Sequence, residues 1–189
     1  MDAFSIMTGV GTLYIADALT APPSLGSSPS GSWRSLGDTQ DGVDVDPSQK
    51  IELTRTDQRT GAVKAVRSEE SVKVKTKLAE TTLENLADAL GVTVDDTAPG
   101  VGTIGTRKVN LYRGASVTEY ALLFEGYSPY LNGPAYYYVP RGFFDVDALK
   151  YDKAKNAPIG ITFEALEDLS ASTPEERFGY LIAKDAAAL

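Results

Sequence analysis

The hydrophobic pattern of the chain changes period near its middle. Over residues 72–78, apolar or β-branched side chains occupy every second position, which predicts a strand with one buried face. The polar positions of this strand are filled by Lys73, Lys75 and Lys77. From Leu83 to Leu90 the apolar positions instead follow an i, i+3, i+4, i+7 stripe, which predicts a short amphipathic helix. The two patterns together predict a strand and a helix joined by a tight turn.

The helix, expected at about residues 81–90, has a signal at each end. Thr81 and Glu84 have the spacing of a capping box, in which each side chain bonds a free backbone amide of the first turn. Gly91 lies where a left-handed residue ends many helices. Because a helix of about ten residues is unstable alone in water, we expect it to pack on a β-layer.

Short apolar segments separated by turn residues occupy most of the remaining chain. They lie at residues 8–16, 33–36, 41–46, 50–57, 62–67, 107–112, 117–124, 142–146, 159–166 and 178–183. Pro47 is expected to end the third of these, and residues 113–116 are expected to form the turn of a hairpin between segments 107–112 and 117–124. Many short strands and one capped helix predict a mainly β fold, an antiparallel β-sandwich or barrel flanked by one short α-helix.

A charged arm stands out from this pattern at about residues 47–70. Its two segments flank the sequence QRTG at 58–61, which predicts a β-hairpin. The charges alternate in sign, and few of the residues suit a continuous core, so the arm either lies in solvent or meets a partner of complementary charge. The candidate contact residues are Arg55, Asp57, Arg59, Lys64, Arg67, Glu69 and Glu70.

Composition narrows the classes of function. With 189 residues, the chain is expected to form a single domain, residues 1–189, with a Pro/Ser-rich surface loop at 20–32. The net charge of −8 argues against a protein that grips a nucleic-acid backbone. Cysteine and histidine are both absent, which removes thiolate chemistry, His-activated nucleophiles and the commonest metal ligand. We therefore expect no enzymatic activity and no cofactor or metal.

Nothing in the hydropathy pattern predicts a membrane segment. The longest uncharged apolar runs fall well short of the roughly 20 residues that a spanning helix requires. The first residues, MDAFSIMTGVG, include an acid and no basic region, so they do not resemble a secretory signal. A soluble protein without membrane partners is therefore expected.

A glycine motif and a tyrosine-rich stretch each allow a functional and a structural interpretation. Gly100, Gly102 and Gly105 spell GxGxxG, but a strand pattern rather than a helix follows them, which favours a flexible loop over a dinucleotide site. The tyrosines of residues 127–139, with Arg141, resemble a stacking platform for bases or sugars. Because tyrosine is also enriched in protein interfaces and the chain is acidic, we favour interface or core packing.

The acids and lysines on predicted strands also allow both a functional and a structural interpretation. Four acids are candidates for metal ligands: Asp44, Asp46, Asp145 and Asp147. Their spacing lacks the glycine and the bidentate glutamate of a calcium loop, which favours a stripe that is solvated or faces a lumen. Asp44 and Asp46 share one strand face and are the lumen-facing candidates. The lysine row of residues 73–77 is expected to be the polar face of a strand, facing acids on a neighbouring strand or subunit.

Taken in order, five segments of the chain resemble the major tail tube proteins of long, non-contractile-tailed bacteriophages. They are GVGTLYIA, WRSLGDTQDGVDVD, IELTRTDQRTGAVKAV, KLAETTLENLADALG, and PIGITFEALED before FGYLIAKD. The similarity lies in the order of a Gly-led strand, a Trp-Leu-Gly strand, a long charged arm and an ETTLENLA helix, and it spans most of the chain.

This resemblance implies a tail-tube-like β-sandwich or barrel, flanked by a helix, six copies of which close into a hexameric ring. Rings stack into a tube, and the arm, carried over to residues 55–67, contacts the next subunit or ring. The resemblance also implies a protein of the virion tail, made in the host cytoplasm, whose partners are itself, a tape-measure protein and tail-end proteins. DNA passes through the lumen without specific binding, and an acidic bore would repel its phosphates.

Other classes of function stay open from the residues alone. The main alternative is a monomeric β-sandwich binding module, for carbohydrate or another ligand, that uses the aromatic residues of 127–139. A related tube, such as the inner tube of a contractile tail or of a secretion system, shares the same fold logic. A carboxylate hydrolase ranks last because nothing but the acids supports it.

Overall fold

The computed structural model describes residues 11–130, 133–147 and 157–185, and these form a mainly antiparallel β structure. Its strands are β1 Thr12–Asp17, β2 Arg34–Ser35, β3 Thr39–Thr54, β4 Lys64–Leu78, β5 Val94–Thr97, β6 Thr106–Val109, β7 Tyr120–Tyr127, β8 Pro134–Val146, β9 Ile159–Ala165 and β10 Tyr180–Ala183. The helix α1 spans Leu83–Leu90. The prediction of a mainly β fold with one short helix is confirmed for the described residues. Positions 8–10 of the first predicted strand lie outside them.

One large sheet has the strand order β2-β1-β7-β8-β9-β4-β3, and β10 pairs with β8. The two ends of this sheet are joined by a short piece of chain, since Ser35 pairs with Tyr14 at one end and Thr39 pairs with Leu78 at the other. Four residues span at most about 14 Å, so the first and last strands must lie near each other. The sheet is therefore rolled into a nearly closed barrel.

The inside of the rolled sheet holds the main hydrophobic core. Its buried members include Leu13, Ile15, Val74, Leu78, Leu122, Val139, Phe144, Ile159, Ile161 and Phe163. Phe163 of β9 packs edge-on against Phe144 of β8, with ring centroids 5.0 Å apart. Ala89 of α1 belongs to the same cluster, so the helix packs on the sheet as predicted. Among the described residues, no helix has the length and apolar character needed to cross a bilayer.

The cap of α1 differs from the predicted one. Thr82, rather than Thr81, caps the helix, and its hydroxyl accepts from the amide of Asn85 at 3.2 Å. Glu84 pairs with an arginine of β6 instead of reaching back to the helix start, so the predicted capping box is wrong. Gly91 has the predicted left-handed conformation, with φ 67° and ψ 32°.

A buried asparagine fixes the helix to the connection that closes the barrel. The side-chain nitrogen of Asn85 donates to the backbone oxygens of Leu36 at 3.0 Å and Glu80 at 3.1 Å. Its side-chain oxygen accepts from Arg34 at 2.9 Å. A buried amide is stable only when its polar atoms are bonded, and these contacts meet that requirement. The inward face of the helix is therefore centred on Asn85, and Leu83 of the predicted leucine stripe stays 38% exposed.

Two strand predictions are wrong, and both errors concern strand pairing. β3 runs unbroken through Pro47, which pairs with Val72 of β4. β3 is the edge of the sheet, and an edge strand tolerates a residue without an amide hydrogen. Residues 107–112 and 117–124 do not form a hairpin, because β6 pairs with β5 whereas β7 pairs with β1 and β8. Residues 113–116 therefore lie in the connection that leads from a small separate sheet, β5 with β6, to β7.

A second hydrophobic cluster lies on the other face of the sheet, beside the loop at residues 20–32. It contains Trp33, Tyr136 and Tyr138. Each donates to a carbonyl of the loop: Trp33 Nε1 to Ala21 O at 3.1 Å, Tyr136 Oη to Ser27 O at 2.8 Å, and Tyr138 Oη to Thr20 O at 2.9 Å. Three aromatic side chains therefore hold in place a loop that has no regular structure.

Replacing Tyr136 with phenylalanine is expected to lower the free energy of unfolding by about 1 kcal/mol, because one intramolecular hydrogen bond contributes about that much. The ring keeps its packing, and only its polar contacts with the loop are lost. Urea unfolding followed by the fluorescence of Trp33, the only tryptophan, measures the change. Tyr127→Phe is the matched control, since Tyr127 is 55% exposed. Equal effects of the two substitutions would contradict the assignment.

Glu119 and Arg141 form a bidentate ion pair, with Nε–Oε2 and Nη2–Oε1 distances of 2.5 and 2.8 Å. Hydrogen bonding from Arg141 holds the pKa of Glu119 below its ordinary value. Because the pKa of Glu119 is lower in the folded state, its ionised carboxylate stabilises the fold at pH values above the unfolded-state pKa of about 4.3. This stabilisation is lost as the pH falls through the folded-state pKa.

The substitution Glu119→Gln is therefore expected to lower the Tm at neutral pH and to lower it less at about pH 3, because the stabilisation diminishes once the pH is below the unfolded value. Thermal unfolding at the two pH values measures this. Glu175→Gln, which changes an exposed acid, is the control and is expected to leave the Tm unchanged at both. A Tm loss in Glu119→Gln that does not depend on pH would show that the carboxylate charge is not its cause.

Candidate assembly surface

The arm is a two-stranded ribbon formed by the outer halves of β3 and β4. β4 pairs with β9 only from Lys73 to Leu78, so residues 64–72 extend beyond that pairing with β3 alone beside them. Nine residues of strand at about 3.3 Å each carry the tip on the order of 30 Å outward. The tip at 55–63 connects the two strands, so the predicted hairpin is confirmed, with a longer turn than the sequence indicates.

Charged residues on the two strands of the arm are paired with one another. Lys50 Nζ lies 2.8 Å from Glu69 Oε1. Arg67 donates to Gln49 Oε1 at 2.7 Å and lies 3.4 Å from Glu70 Oε2. The ion-paired side chains are at least half exposed, and pairs in such positions contribute at most about 1 kcal/mol. Pairs of this strength exchange readily for pairs with another molecule.

The tip of the arm carries charges that form no ion pair within the described chain. Arg55 and Arg59 lie on the tip and Lys64 is the first residue of β4 after it; all three are exposed cations, and Asp57 is the single acid of residues 55–64. Arg55 donates to Thr60 O at 3.4 Å, which leaves its charge unneutralised. The tip is thus basic on a chain whose net charge is −8. Such a tip is attracted to an acidic surface on another molecule.

The arm also carries an apolar strip that the sequence reasoning did not single out. Ile51 and Leu53 continue, toward the tip, the face of β3 that carries Val45 near the core. Leu53 pairs with Ala65 across the ribbon, and Val63 follows on the same face. We define the arm strip as Ile51, Leu53, Val63 and Ala65. These apolar side chains are exposed, with Ile51 at 49% and Leu53 at 54%, and Arg67 lies beside Ile51 in the strand register. The only signal in the sequence was the alternation of apolar and charged residues in KIEL.

The lysine row of β4 faces acids on both neighbouring strands, as predicted. The pairs are Lys73 with Glu164 of β9 at 3.1 Å, Lys75 with Asp46 of β3 at 3.3 Å, and Lys77 with Asp41 of β3 at 2.8 Å. The candidate lumen-facing acids, Asp44 and Asp46, lie opposite Lys75 and Lys73 in the strand register. These acids therefore share their face with lysines, and the face is mixed in charge.

The tyrosine-rich stretch is largely a strand of the sheet. Tyr136 and Tyr138 lie on the same face of β8 and are both buried in the second hydrophobic cluster. Burial raises the pKa of Tyr138 to about 12. Within the described residues, the exposed tyrosines of this stretch are Tyr127 and Tyr130. Core packing therefore occupies the two buried rings, which are not available as a stacking platform, and Arg141 is engaged by Glu119.

The glycine motif and the candidate metal ligands do not form the sites that their residue types suggest. Gly100, Gly102 and Gly105 lie in the connection between β5 and β6, and a strand follows them. Asp44 and Asp147 line a shallow cleft of about 250 Å³, which Lys75 and Lys77 also line. Among the residues that the structure describes, no three acidic, histidine or cysteine side chains gather in a way that would hold a metal ion.

No protein-family model and no curated protein matches this chain. The features that bear on function are therefore those of the structure itself. They are the projecting arm, its exposed apolar strip, the cations of its tip and the open edge of β3.

Proposed function

We propose that this chain is a structural, self-assembling virion protein, the major tail tube subunit of a long, non-contractile-tailed bacteriophage. The observation that carries the proposal is the arm, which projects on the order of 30 Å and exposes both an apolar strip and a basic tip. A two-stranded ribbon alone is marginally stable in water, so a partner that covers the arm strip would stabilise it. A second copy of the chain is the partner that we propose.

The open edge of the sheet supports assembly in a second way. β3 is an edge strand of 16 residues, and no strand of the described chain pairs with its outer side. Long open edges are templates for pairing with another chain. In the proposed assembly six copies close into a hexameric ring and rings stack into a tube. Contacts between two different surfaces of one chain repeat head to tail, which generates rings and stacks of this kind.

The charge of the chain fits a conduit for DNA. Each ring of six copies carries six times the net charge of −8. The part of this charge that faces the bore repels the phosphates of DNA, so that DNA passes without specific binding. Asp44 and Asp46 are the proposed bore-lining acids, with the lysines opposite them lowering the local charge. The further proposed partners are a tape-measure protein and tail-end proteins, and the proposed location is the virion tail.

Negative-stain electron microscopy of the purified full chain tests this proposal. We expect rings, or filaments of stacked rings, whose number rises with protein concentration. A chain that stays monomeric at high concentration would overturn the proposal. Retention of such a monomer on a polysaccharide column would instead support a carbohydrate-binding module, with Tyr127 and Tyr130 as the aromatic residues to replace first.

A further inference from the structure

A second exposed apolar surface lies on β10 and the loop before it. β10 pairs with β8 along one side only in the described chain. Tyr180 and Ile182 share one face of β10 and are 36% and 43% exposed, whereas Leu181, which is 46% exposed, lies on the opposite face. Leu169 in the preceding loop is 71% exposed. Contiguous exposed apolar residues on a soluble protein mark interaction sites.

The loop before β10 has a closed shape that fixes this surface. The amide of Asp168 donates to Arg177 O at 2.9 Å, which closes the neck of the loop. The amide of Gly179 donates to Glu176 O at 2.8 Å at the point where the loop joins β10. Gly179 has φ 101°, and an added Cβ would overlap the backbone oxygen of Tyr138, so only glycine fits there. The loop therefore presents its side chains in a defined place beside β10.

Two acids of this loop give the surface a negative margin. Glu175 and Glu176 are exposed and form no ion pair within the described chain. Glu176 lies beside the strand, since its backbone oxygen accepts from the amide of Gly179 at 2.8 Å, and burial together with its carboxylate raises the pKa of Tyr180. We define the loop–β10 surface as Leu169, Glu175, Glu176, Tyr180 and Ile182. It is apolar with an acidic margin.

We infer that the arm of one copy docks on the loop–β10 surface of a second copy. This inference rests on the proposed self-assembly and names the surface that receives the arm. The arm strip is apolar and ends in a basic tip, so the two surfaces are complementary in both hydrophobicity and charge. The arm in question belongs to another copy, because within the described chain the outer arm pairs with itself and β10 pairs with β8.

Because the two surfaces differ, the contact is head to tail. Each copy gives its arm to one neighbour and receives an arm from another, which leads to a closed ring or an open stack. Burial of the arm strip against β10 supplies the affinity, because it removes apolar surface from water on both copies. The cations Arg55 and Arg59, facing Glu175 and Glu176, set the orientation and the rate of association.

Charge reversal on each side tests the contact. We expect the pair Arg55→Glu and Arg59→Glu to raise the concentration needed for assembly about tenfold or more. The pair Glu175→Lys and Glu176→Lys, in a separate variant, is expected to have a similar effect. All four substitutions in one chain restore the complementarity, so assembly should return toward that of the parent protein. Circular dichroism verifies that each variant is folded.

The matched control for charge reversal is Arg113→Glu, which changes an exposed cation outside the arm. It is expected to assemble as the parent protein does. A control that is impaired as strongly as the arm variant would show that total charge, rather than this contact, governs assembly, and would overturn the inference.

Disulfide cross-linking gives an independent readout, since the natural chain has no cysteine. A Thr60→Cys variant places a thiol at the arm tip, and a Ser172→Cys variant places one in the loop before β10, with all charges kept. Equal amounts of the two, mixed under assembly conditions and oxidised, are expected to give a covalent dimer that contains one copy of each. The matched control is a mixture of Thr60→Cys with Ser27→Cys, whose thiol lies on the exposed loop at 20–32. This mixture is expected to give little covalent dimer.

The outcomes separate this inference from the proposed function. A parent protein that forms no assembly overturns both. A parent protein that assembles while the Glu175 and Glu176 reversal has no effect, and while the cross-link is no stronger than its control, overturns the inference alone. Rescue by the fourfold variant together with the specific cross-link supports both.

Discussion

Replacing Phe163 with alanine is expected to lower the free energy of unfolding by about 3–5 kcal/mol. The side chain is 1% exposed and packs edge-on against Phe144 inside the rolled sheet, so its removal leaves a cavity that the neighbouring strands cannot fill. Since single domains are stable by about 5–15 kcal/mol, the variant is left close to unfolding. Urea unfolding followed by the fluorescence of Trp33 measures the effect.

The matched control for this variant is Tyr112→Ala, which removes an aromatic ring that is 87% exposed. A surface substitution of this kind changes stability by about 0.5 kcal/mol or less. If the two variants unfold at the same urea concentration, the ring of Phe163 does not lie at the centre of the core and the rolled arrangement of β8 and β9 is wrong.

Removing the arm is expected to abolish assembly and leave the barrel folded. Ser48 and Ser71 are paired in the register of β3 and β4, with side-chain oxygens 2.8 Å apart, so an Asn-Gly turn can join them in place of residues 49–70. Every removed residue is exposed, and none belongs to either hydrophobic cluster, so little buried apolar area is lost. Sedimentation and electron microscopy measure assembly, and thermal unfolding measures the fold.

The control for arm removal changes exposed apolar residues elsewhere on the chain. Val101→Ser with Ile104→Ser alters the connection between β5 and β6, where both side chains are highly exposed. This variant is expected to assemble like the parent protein. Assembly by the armless chain would show that the contacts lie elsewhere, and an unfolded armless chain would show that the ribbon belongs to the cooperative core.

The local elements were predictable because their signals lie within a few neighbouring residues. Alternation over 72–78 corresponds to the inner half of β4, and Gly91 ends the helix with a positive φ as its position predicts. The cap shifted by one residue because Thr81 and Thr82 are both able to accept an amide, and Thr81 instead donates to a backbone oxygen outside the helix. Local pattern cannot distinguish two adjacent threonines.

The candidate assembly surface was predictable only in its charges. The sequence shows Arg55, Arg59 and the alternating charges of the arm, but it does not show the arm strip or the loop–β10 surface. An apolar residue on alternate positions, such as Leu53 or Ile182, predicts a buried strand face. Only the packed fold shows that no other part of the described chain covers these side chains, which are 54% and 43% exposed.

The sequence by itself determined the periods of the strand and helix at the centre of the chain, its acidic charge, and the arm as a charged hairpin. Tertiary structure alone decided that β3 continues through Pro47, that β6 pairs with β5, and that the connection from Ser35 to Thr39 rolls the sheet into a barrel. The physical reason is the range of the interactions. Side-chain periodicity is set over a few residues, whereas strand pairing and burial depend on segments far apart in sequence, as where Leu78 meets Ile159.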